Sequence, residues 1–170
     1  MTKGAFHGSS NFVVLPLYSV RNHSVPEKSG INQWNAGGRT RNFGEAYIPV
    51  PKIVHTLRPD FFPERGVEFL ITLPGSKYPY PAKLCQSDSK ALMTSPNDAL
   101  CEWLYRAIDP TFSVTWLKRS PARPPYSYQD LINVGSDSVT ITKSVDQLAR
   151  FQLELSAIGT FERWIAGFSS

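Results

Sequence analysis

The sequence predicts a mainly β, barrel-like domain of about seven short strands with two short α-helices. Runs of apolar, β-branched and aromatic residues recur along the chain, and glycine or proline bounds most of them. Strand and helix patterns do not alternate regularly, which argues against a parallel α/β sheet. The length of 170 residues and the hydrophobic fraction of 41% suit one domain with an ordinary core.

The first half of the chain combines predicted strands with one short helical segment. Four runs predict strands, and they cover residues 11–20, 45–50, 67–73 and 82–86. Pro16 places the first run at a sheet edge or a bulge, because proline cannot donate to the strand ladder. Residues 52–57 predict one or two helical turns, which Pro59 ends. Phe61 and Phe62 follow as a candidate plug of the core.

The second half contains a longer helix and a final pair of strands. A strand at 91–94 leads into a helix that ends at about Ile108. Ser95 is the expected N-cap of this helix, and Pro96 its expected first residue. The remaining predicted elements are a strand at 111–117, a short helix at 126–134 ended by Gly135, strands at 138–143 and 150–155, and an amphipathic turn at 160–168.

A polar, glycine-rich segment at residues 25–51 is the strongest functional signal. It carries amide and guanidinium side chains at Asn32, Gln33, Asn35, Arg39, Arg41 and Asn42, and is expected to be too polar to enter a core. Arginine pairs bidentately with guanine edges, and asparagine or glutamine pairs with adenine edges, in the major groove of DNA. The segment therefore predicts a nucleic-acid recognition arm, with a solvated surface loop as the alternative.

The charge distribution is consistent with an anionic partner. The formal net charge is +4, and the sequence pI is about 9.1. A proline-rich loop at residues 118–125 carries Lys118, Arg119 and Arg123 with no acidic residue. We expect this loop to contact phosphates beside the recognition site, and a surface loop without a ligand is an equally good interpretation.

Cysteine usage and the amino terminus predict a cytoplasmic chain. Two cysteines, Cys85 and Cys101, form neither a disulfide framework nor a zinc-ligand pattern. Residues 1–10 lack the apolar run of a signal peptide and are interpreted as a linker. No run approaches the roughly 18 apolar residues of a membrane span.

Four separated motifs, in this order, resemble one protein family. They are S-G-I-N-Q-W-N at 29–35, G-R-T-R-N-F-G-E-A-Y-I-P-V-P at 38–51, F-F-P-E-R-G-V-E-F at 61–69 and Q-S-D-S-K-A-L-M-T-S-P-N-D-A-L at 86–100. Over about residues 12–155 the chain resembles the B3-like DNA-binding domains of type II restriction endonucleases. It resembles the NgoFVII kind most, and BfiI and the EcoRII effector domain more distantly.

This resemblance implies a seven-stranded open pseudobarrel that grips the major groove with two arms. The DNA-binding domain would span residues 11–156, with residues 157–170 as a tail packed on it. The contacts implied for the first arm are Gln33, Trp34, Asn35, Arg39, Arg41 and Asn42. The contacts implied for the second arm are Gln86, Ser87, Asp88, Lys90, Thr94, Ser95 and Asn97.

The resemblance also implies how the second arm works and what accompanies it. Asp88 can accept a hydrogen bond from a cytosine amino group, and Lys90 can reach a guanine or a phosphate. The helix start at residues 95–97 suits a phosphate. The chain itself would carry no catalytic residue, metal or cofactor, and an attached nuclease domain or a nuclease subunit would be its partner.

Two other functions fit parts of the sequence. The pattern of Pro59-Asp60 followed by Asp88-Ser89-Lys90 matches a short signature of Mg²⁺-dependent nucleases, in which Asp60 and Asp88 hold the metal and Lys90 steadies the attacking water. Trp34 can stack on a base, which suits a reader of single strands or flipped bases. The phospholipase-D signature is absent, because no histidine is followed by lysine two residues later.

Overall fold

One mixed β-sheet organises the protein. The computed structural model describes residues 11–35, 46–112, 124–147 and 149–169. Within these residues the sheet has seven strands. They are β1 (Phe12–Pro16), β2 (Ile48–Pro49), β3 (Phe69–Thr72), β4 (Tyr80–Cys85), β5 (Ala91–Thr94), β6 (Ser136–Lys143) and β7 (Arg150–Ala157).

The strand order and the contact between the two edge strands describe the shape of the sheet. The order is β1-β6-β7-β3-β4-β5-β2, and only β3 and β7 pair in parallel. The two edge strands, β1 and β2, also contact each other, which shows that the sheet curls into a half-barrel. The predicted mainly β architecture is therefore confirmed.

Four α-helices, rather than the expected two, flank this sheet in the described part of the chain. They are α1 (Lys52–Leu57), α2 (Asn97–Ile108), α3 (Tyr128–Val134) and α4 (Thr160–Ala166). The predicted turn at the carboxyl end forms α4 because Phe161 and Trp164, three residues apart, are both buried against the domain. None of the described helices is long and apolar enough to cross a membrane. Two 3-10 segments, Gly30–Asn35 and Ser87–Ser89, are also present among the described residues.

Several predicted boundaries were wrong by a few residues. The first strand ends at Pro16, and residues 17–24 form turns closed by a bridge between Ser19 and Ser24. The strand expected at 45–50 is only Ile48–Pro49. The strand expected at 111–117 lies almost wholly outside the described residues.

The start of α2 differs from the prediction in a way that has a clear physical cause. Pro96, not Ser95, is its N-cap residue, and neither provides a side-chain cap. Thr94 supplies the capping hydroxyl instead, because its Oγ1 accepts a hydrogen bond from Leu100 N at 3.1 Å. The same hydroxyl donates to the carbonyl oxygen of Pro96 at 2.8 Å. Thr94 is therefore buried beneath the turn that leads into the helix.

The predicted phenylalanine plug packs where β3 meets β7. The ring centroids of Phe61 and Phe151 are 5.4 Å apart, and those of Phe62 and Phe151 are 5.9 Å apart. Phe69 of β3 lies 4.9 Å from Phe151 of β7. Aromatic contacts at these distances add to the stabilisation from burial, so the plug stabilises the centre of the sheet.

A buried polar network corrects the expectation that residues 25–51 stay out of the core. Asn32 is 0% exposed. Its Nδ2 donates to the carbonyl oxygens of Pro26 and Tyr126, each at 2.8 Å, and its Oδ1 accepts from Tyr126 N at 2.9 Å. Tyr105 Oη donates to the carbonyl oxygen of Ile31 at 2.6 Å. The amide can be buried without a large penalty because both of its polar atoms have hydrogen-bond partners.

This network extends to a buried carboxylate. Tyr126 Oη donates to Asp109 Oδ2 at 2.9 Å. The main-chain N–H and the hydroxyl of Thr111 both donate to Asp109 Oδ1, at 2.9 and 2.7 Å. Asp109 therefore joins the end of α2 to the segment that precedes α3.

We predict that Asn32→Ala lowers the free energy of unfolding by about 2–4 kcal/mol, because three main-chain polar groups, two of them in buried hydrogen bonds, lose their partner. Denaturant unfolding followed by circular dichroism measures the change. Asn133→Ala is the matched control, since Asn133 is exposed and bonds only to Gln129 on the surface of α3. An equal effect of the two substitutions would contradict the assigned role of Asn32.

A second prediction compares two buried tyrosines. Tyr18 Oη is buried with no hydrogen-bond partner among the described residues. Its burial, with the carboxylates of Glu162 and Asp137 nearby, raises the pKa of Tyr18 well above its ordinary value. Tyr18→Phe should leave the stability unchanged or raise it by up to about 1 kcal/mol, because the lost hydroxyl bonds to nothing. Tyr126→Phe should lower it by about 1.5–3 kcal/mol, because Asp109 loses a donor.

Thermal unfolding of the two phenylalanine variants beside the unsubstituted protein decides this comparison. The two substitutions remove the same atom from the same residue type, so packing changes are matched. A destabilising Tyr18→Phe as large as Tyr126→Phe would show that the Tyr18 hydroxyl has a partner after all.

Candidate nucleic-acid interface

The turn between β4 and β5 presents a row of polar side chains to solvent. Residues 86–90 connect the last paired positions of the two strands, Cys85 and Ala91. The exposed side chains of this turn are Gln86, Ser87, Asp88 and Lys90. Four of the residues expected in the second arm therefore lie together, exposed, at one hairpin end.

The backbone of this turn is strained. Gln86 has φ 68° and ψ 165°, a region that is essentially restricted to glycine. Asp88 and Ser89 have φ values of 62° and 52°, in the left-handed region. Such conformations cost about 1–3 kcal/mol each and persist only where the surrounding structure enforces them.

Three carbonyl oxygens of the turn, those of residues 86, 89 and 90, contact hydrogen-bond donors of neighbouring elements. Gln86 O accepts from Ser89 N at 3.1 Å and from Arg65 Nη1 at 3.4 Å. Ser89 O lies 3.0 Å from His55 Nε2 of α1. Because a carbonyl oxygen can only accept, Nε2 of His55 carries the proton in this contact. Lys90 O accepts from Val50 N at 2.9 Å.

A groove of about 660 Å³ adjoins this turn. Residues 18–21, which follow β1, line one side of it. Gly30 and Tyr47, which lie on either side of the first predicted arm, also line it. Asp88 and Lys90 of the turn line it as well. The groove therefore lies between the second arm and the described ends of the first.

The groove carries an excess of positive charge. Its cations are Arg21, Lys52 and Lys90, and its one carboxylate belongs to Asp88. All three cationic residues are exposed. Within the described residues none of these three side chains forms a hydrogen bond or an ion pair. Their charges are therefore available to an anionic ligand.

The other expected contacts have different positions. Gln33 is half-buried in the 3-10 segment, Thr94 is buried, and Ser95 is exposed just before α2. Six expected contacts lie outside the described residues, namely Arg39, Arg41, Asn42, Lys118, Arg119 and Arg123. For Trp34, Asn35 and Asn97 only the backbone is described.

The start of the first arm and the residue that follows the basic loop meet in the core. Asn32 is the first residue of the first arm, which the resemblance places at residues 32–45, and Tyr126 directly follows the loop at residues 118–125. Their hydrogen bonds therefore fix the start of one segment to the end of the other. The sequence separation of 94 residues hides this link from any local pattern.

Sequence reasoning did not assign a role to Arg21 or Lys52. Arg21 contributes to the basic excess near the first arm, which was the only available signal for it. Lys52 follows the P-V-P run and opens α1. Both face the groove because the two edges of the curled sheet approach each other there.

The residues of the Mg²⁺-dependent nuclease pattern line two different depressions. Asp60 lines one of about 320 Å³ together with Glu64 and His55, whereas Asp88 and Lys90 line the groove. Among the described residues, no three histidine, cysteine, aspartate or glutamate side chains are grouped closely enough to hold a metal ion.

Comparison with known proteins found no matching family model and no curated protein with significant sequence similarity. The functional interpretation therefore depends on the geometry of the turn and groove, and on the motifs in the sequence.

Proposed function

We propose that this chain binds double-stranded DNA in a sequence-specific manner and serves as the target-recognition domain of a type II restriction endonuclease. The observation that carries this proposal is the turn at residues 86–90. It combines four exposed polar side chains with a strained, firmly held backbone and lies beside a cationic groove.

The shape of the turn suits the major groove of DNA. The major groove is about 12 Å wide and admits a two-stranded β-ribbon. Gln86 can pair with adenine, Asp88 can accept from the cytosine amino group, and Lys90 can reach guanine or a phosphate. Because the backbone is already held in place, binding costs little further backbone entropy, and the remaining cost is the ordering of the side chains.

The B3-like pseudobarrel is part of this proposal. Seven strands in a curled half-barrel, with four exposed polar side chains on the turn between β4 and β5, support it. The first arm would supply the contacts of Gln33, Trp34, Asn35, Arg39, Arg41 and Asn42. The basic loop would add phosphate contacts from Lys118, Arg119 and Arg123.

The chain would perform no chemistry itself. A nuclease domain in the same polypeptide, or a separate nuclease subunit, would cut DNA that this domain selects. Such a system would act in the cytoplasm. The resemblance of the four sequence motifs to restriction-endonuclease domains supports this part of the proposal.

Selection from a pool of randomised duplexes, at near-physiological salt, tests the proposal. We expect one enriched motif of roughly five to seven base pairs, which Mg²⁺ leaves intact. Cutting of the bound pool after Mg²⁺ addition would favour the nuclease site of Asp60, Asp88 and Lys90. Tighter binding of single strands than of duplexes would favour the base-stacking function of Trp34, and absence of enrichment would overturn sequence-specific recognition.

A substitution in the turn tests whether its strain serves recognition. Gln86→Gly should raise the free energy of unfolding by up to about 1–2 kcal/mol, because glycine adopts this backbone conformation without strain. The same variant should bind the enriched motif about 5- to 150-fold more weakly, because a base contact worth about 1–3 kcal/mol is lost. Its affinity for random duplexes should change little.

Ser87→Gly provides the matched control. Ser87 is exposed in the same turn and is not among the residues with positive φ. Glycine at this position should therefore lower stability by about 0.5–1 kcal/mol. A Gln86→Gly variant that binds the motif as tightly as the unsubstituted protein would remove Gln86 from the reading surface.

A further inference from the structure

We infer that the groove beside the turn binds the sugar–phosphate ridge of one DNA strand, held by Arg21, Lys52 and Lys90. This inference rests on the proposed function and adds a second surface to it. The turn would read base edges, and the groove would hold the backbone that borders them.

The shapes of the two surfaces are complementary to the two parts of a duplex. Base edges lie recessed in the major groove, so a projecting element is needed to reach them. The phosphates form protruding ridges on either side, and a concave surface can receive such a ridge. Asp88 and Lys90 belong to the turn and also line the groove. When the turn enters the major groove of DNA, the neighbouring phosphate ridge therefore lies against the groove of the protein.

Three cations from separate elements converge on this groove. Arg21 lies in the turns after β1, Lys52 opens α1, and Lys90 ends the β4–β5 turn. None of the three side chains is paired within the described residues. Like charges that share a groove repel each other, and a phosphate between them removes this repulsion. The main-chain bonds of Ser19 with Ser24 and of Val50 with Lys90 hold two of these positions.

The rest of the lining suits the sugars between the phosphates. Val20, Pro26, Pro49 and Pro51 provide apolar surface along the groove. The carbon–hydrogen faces of deoxyribose can pack on such surface without an unsatisfied polar group. The single carboxylate, from Asp88, lies on the turn, where it can face a cytosine amino group rather than the backbone.

Salt titration of duplex binding by Arg21→Gln, Lys52→Gln and Lys90→Gln tests the inference. Each lost phosphate contact should reduce the slope of log K against log salt by about 0.9. Arg21→Gln and Lys52→Gln should weaken binding about three- to tenfold on the enriched motif and on random duplexes alike. They should leave the enriched motif unchanged, because phosphates carry no sequence information.

Lys77→Gln is the matched control. Lys77 is exposed in the turn between β3 and β4, at the opposite end of β4 from residues 86–90, and does not line the groove. Its slope should equal that of the unsubstituted protein. Thermal unfolding of all four variants checks that the folds are intact, and exposed positions of this kind rarely change stability by more than about 0.5 kcal/mol.

Neutral methylphosphonate groups locate the contact on the DNA. Placed one at a time along the enriched duplex, they should weaken binding at a short run of phosphates on one strand. Arg21→Gln or Lys52→Gln should abolish the effect at one phosphate of that run, since the charge pair is already lost.

The outcomes separate this inference from the proposed function. Unchanged slopes for Arg21→Gln and Lys52→Gln, with a motif still enriched, would overturn the groove contact and leave the recognition function standing. A changed motif would make these residues base readers and would also overturn it. Failure of the unsubstituted protein to bind duplex DNA would overturn both.

Discussion

The parallel pairing of β3 with β7 joins two antiparallel units into one sheet. One unit is β1-β6-β7, and the other is β3-β4-β5-β2. Leu70 pairs with Arg150 and Ile71 with Phe151 along this seam, and the phenylalanine plug packs against it. The seam lies in the middle of the strand order, so it sets how the outer strands curve toward each other. The groove is lined by residues 18–21, which follow β1 of one unit, and by Pro49 of β2 and the β4–β5 turn of the other unit.

Local patterns in the sequence predicted those elements whose cause is local. The strand Ala91–Thr94 and the helix Lys52–Leu57 have the predicted bounds, and Gly135 ends α3 as expected. The burial of Asn32 could not be predicted in this way, because its partner Tyr126 lies 94 residues along the chain. The composition around Asn32 suggests a polar surface loop, but its hydrogen bonds to the main chain allow its side chain to be buried in the core.

The candidate site was likewise predictable only in part. Residue types and motif order indicated residues 86–90, because the hydrogen-bonding chemistry of a side chain follows from its residue type. The backbone conformation of these residues could not be predicted, because residues 86–90 contain no glycine to indicate the positive φ values. Arg21 and Lys52 were missed for a different reason. Their common surface arises from the approach of opposite sheet edges, which no sequence window contains.

The hydrogen bonds that hold the turn in place do not depend on which side chains the turn carries. Its contacts from Arg65, His55 and Val50 all end on main-chain oxygens, which every amino acid possesses. Within the part of the chain that the structure describes, the exposed side chains of the turn form no hydrogen bond that holds it. Under the proposed function, these side chains can be exchanged for others that tolerate the positive φ values of residues 86 and 88, while the scaffold stays the same. A change of the recognised DNA sequence would then need few substitutions, concentrated on one hairpin end.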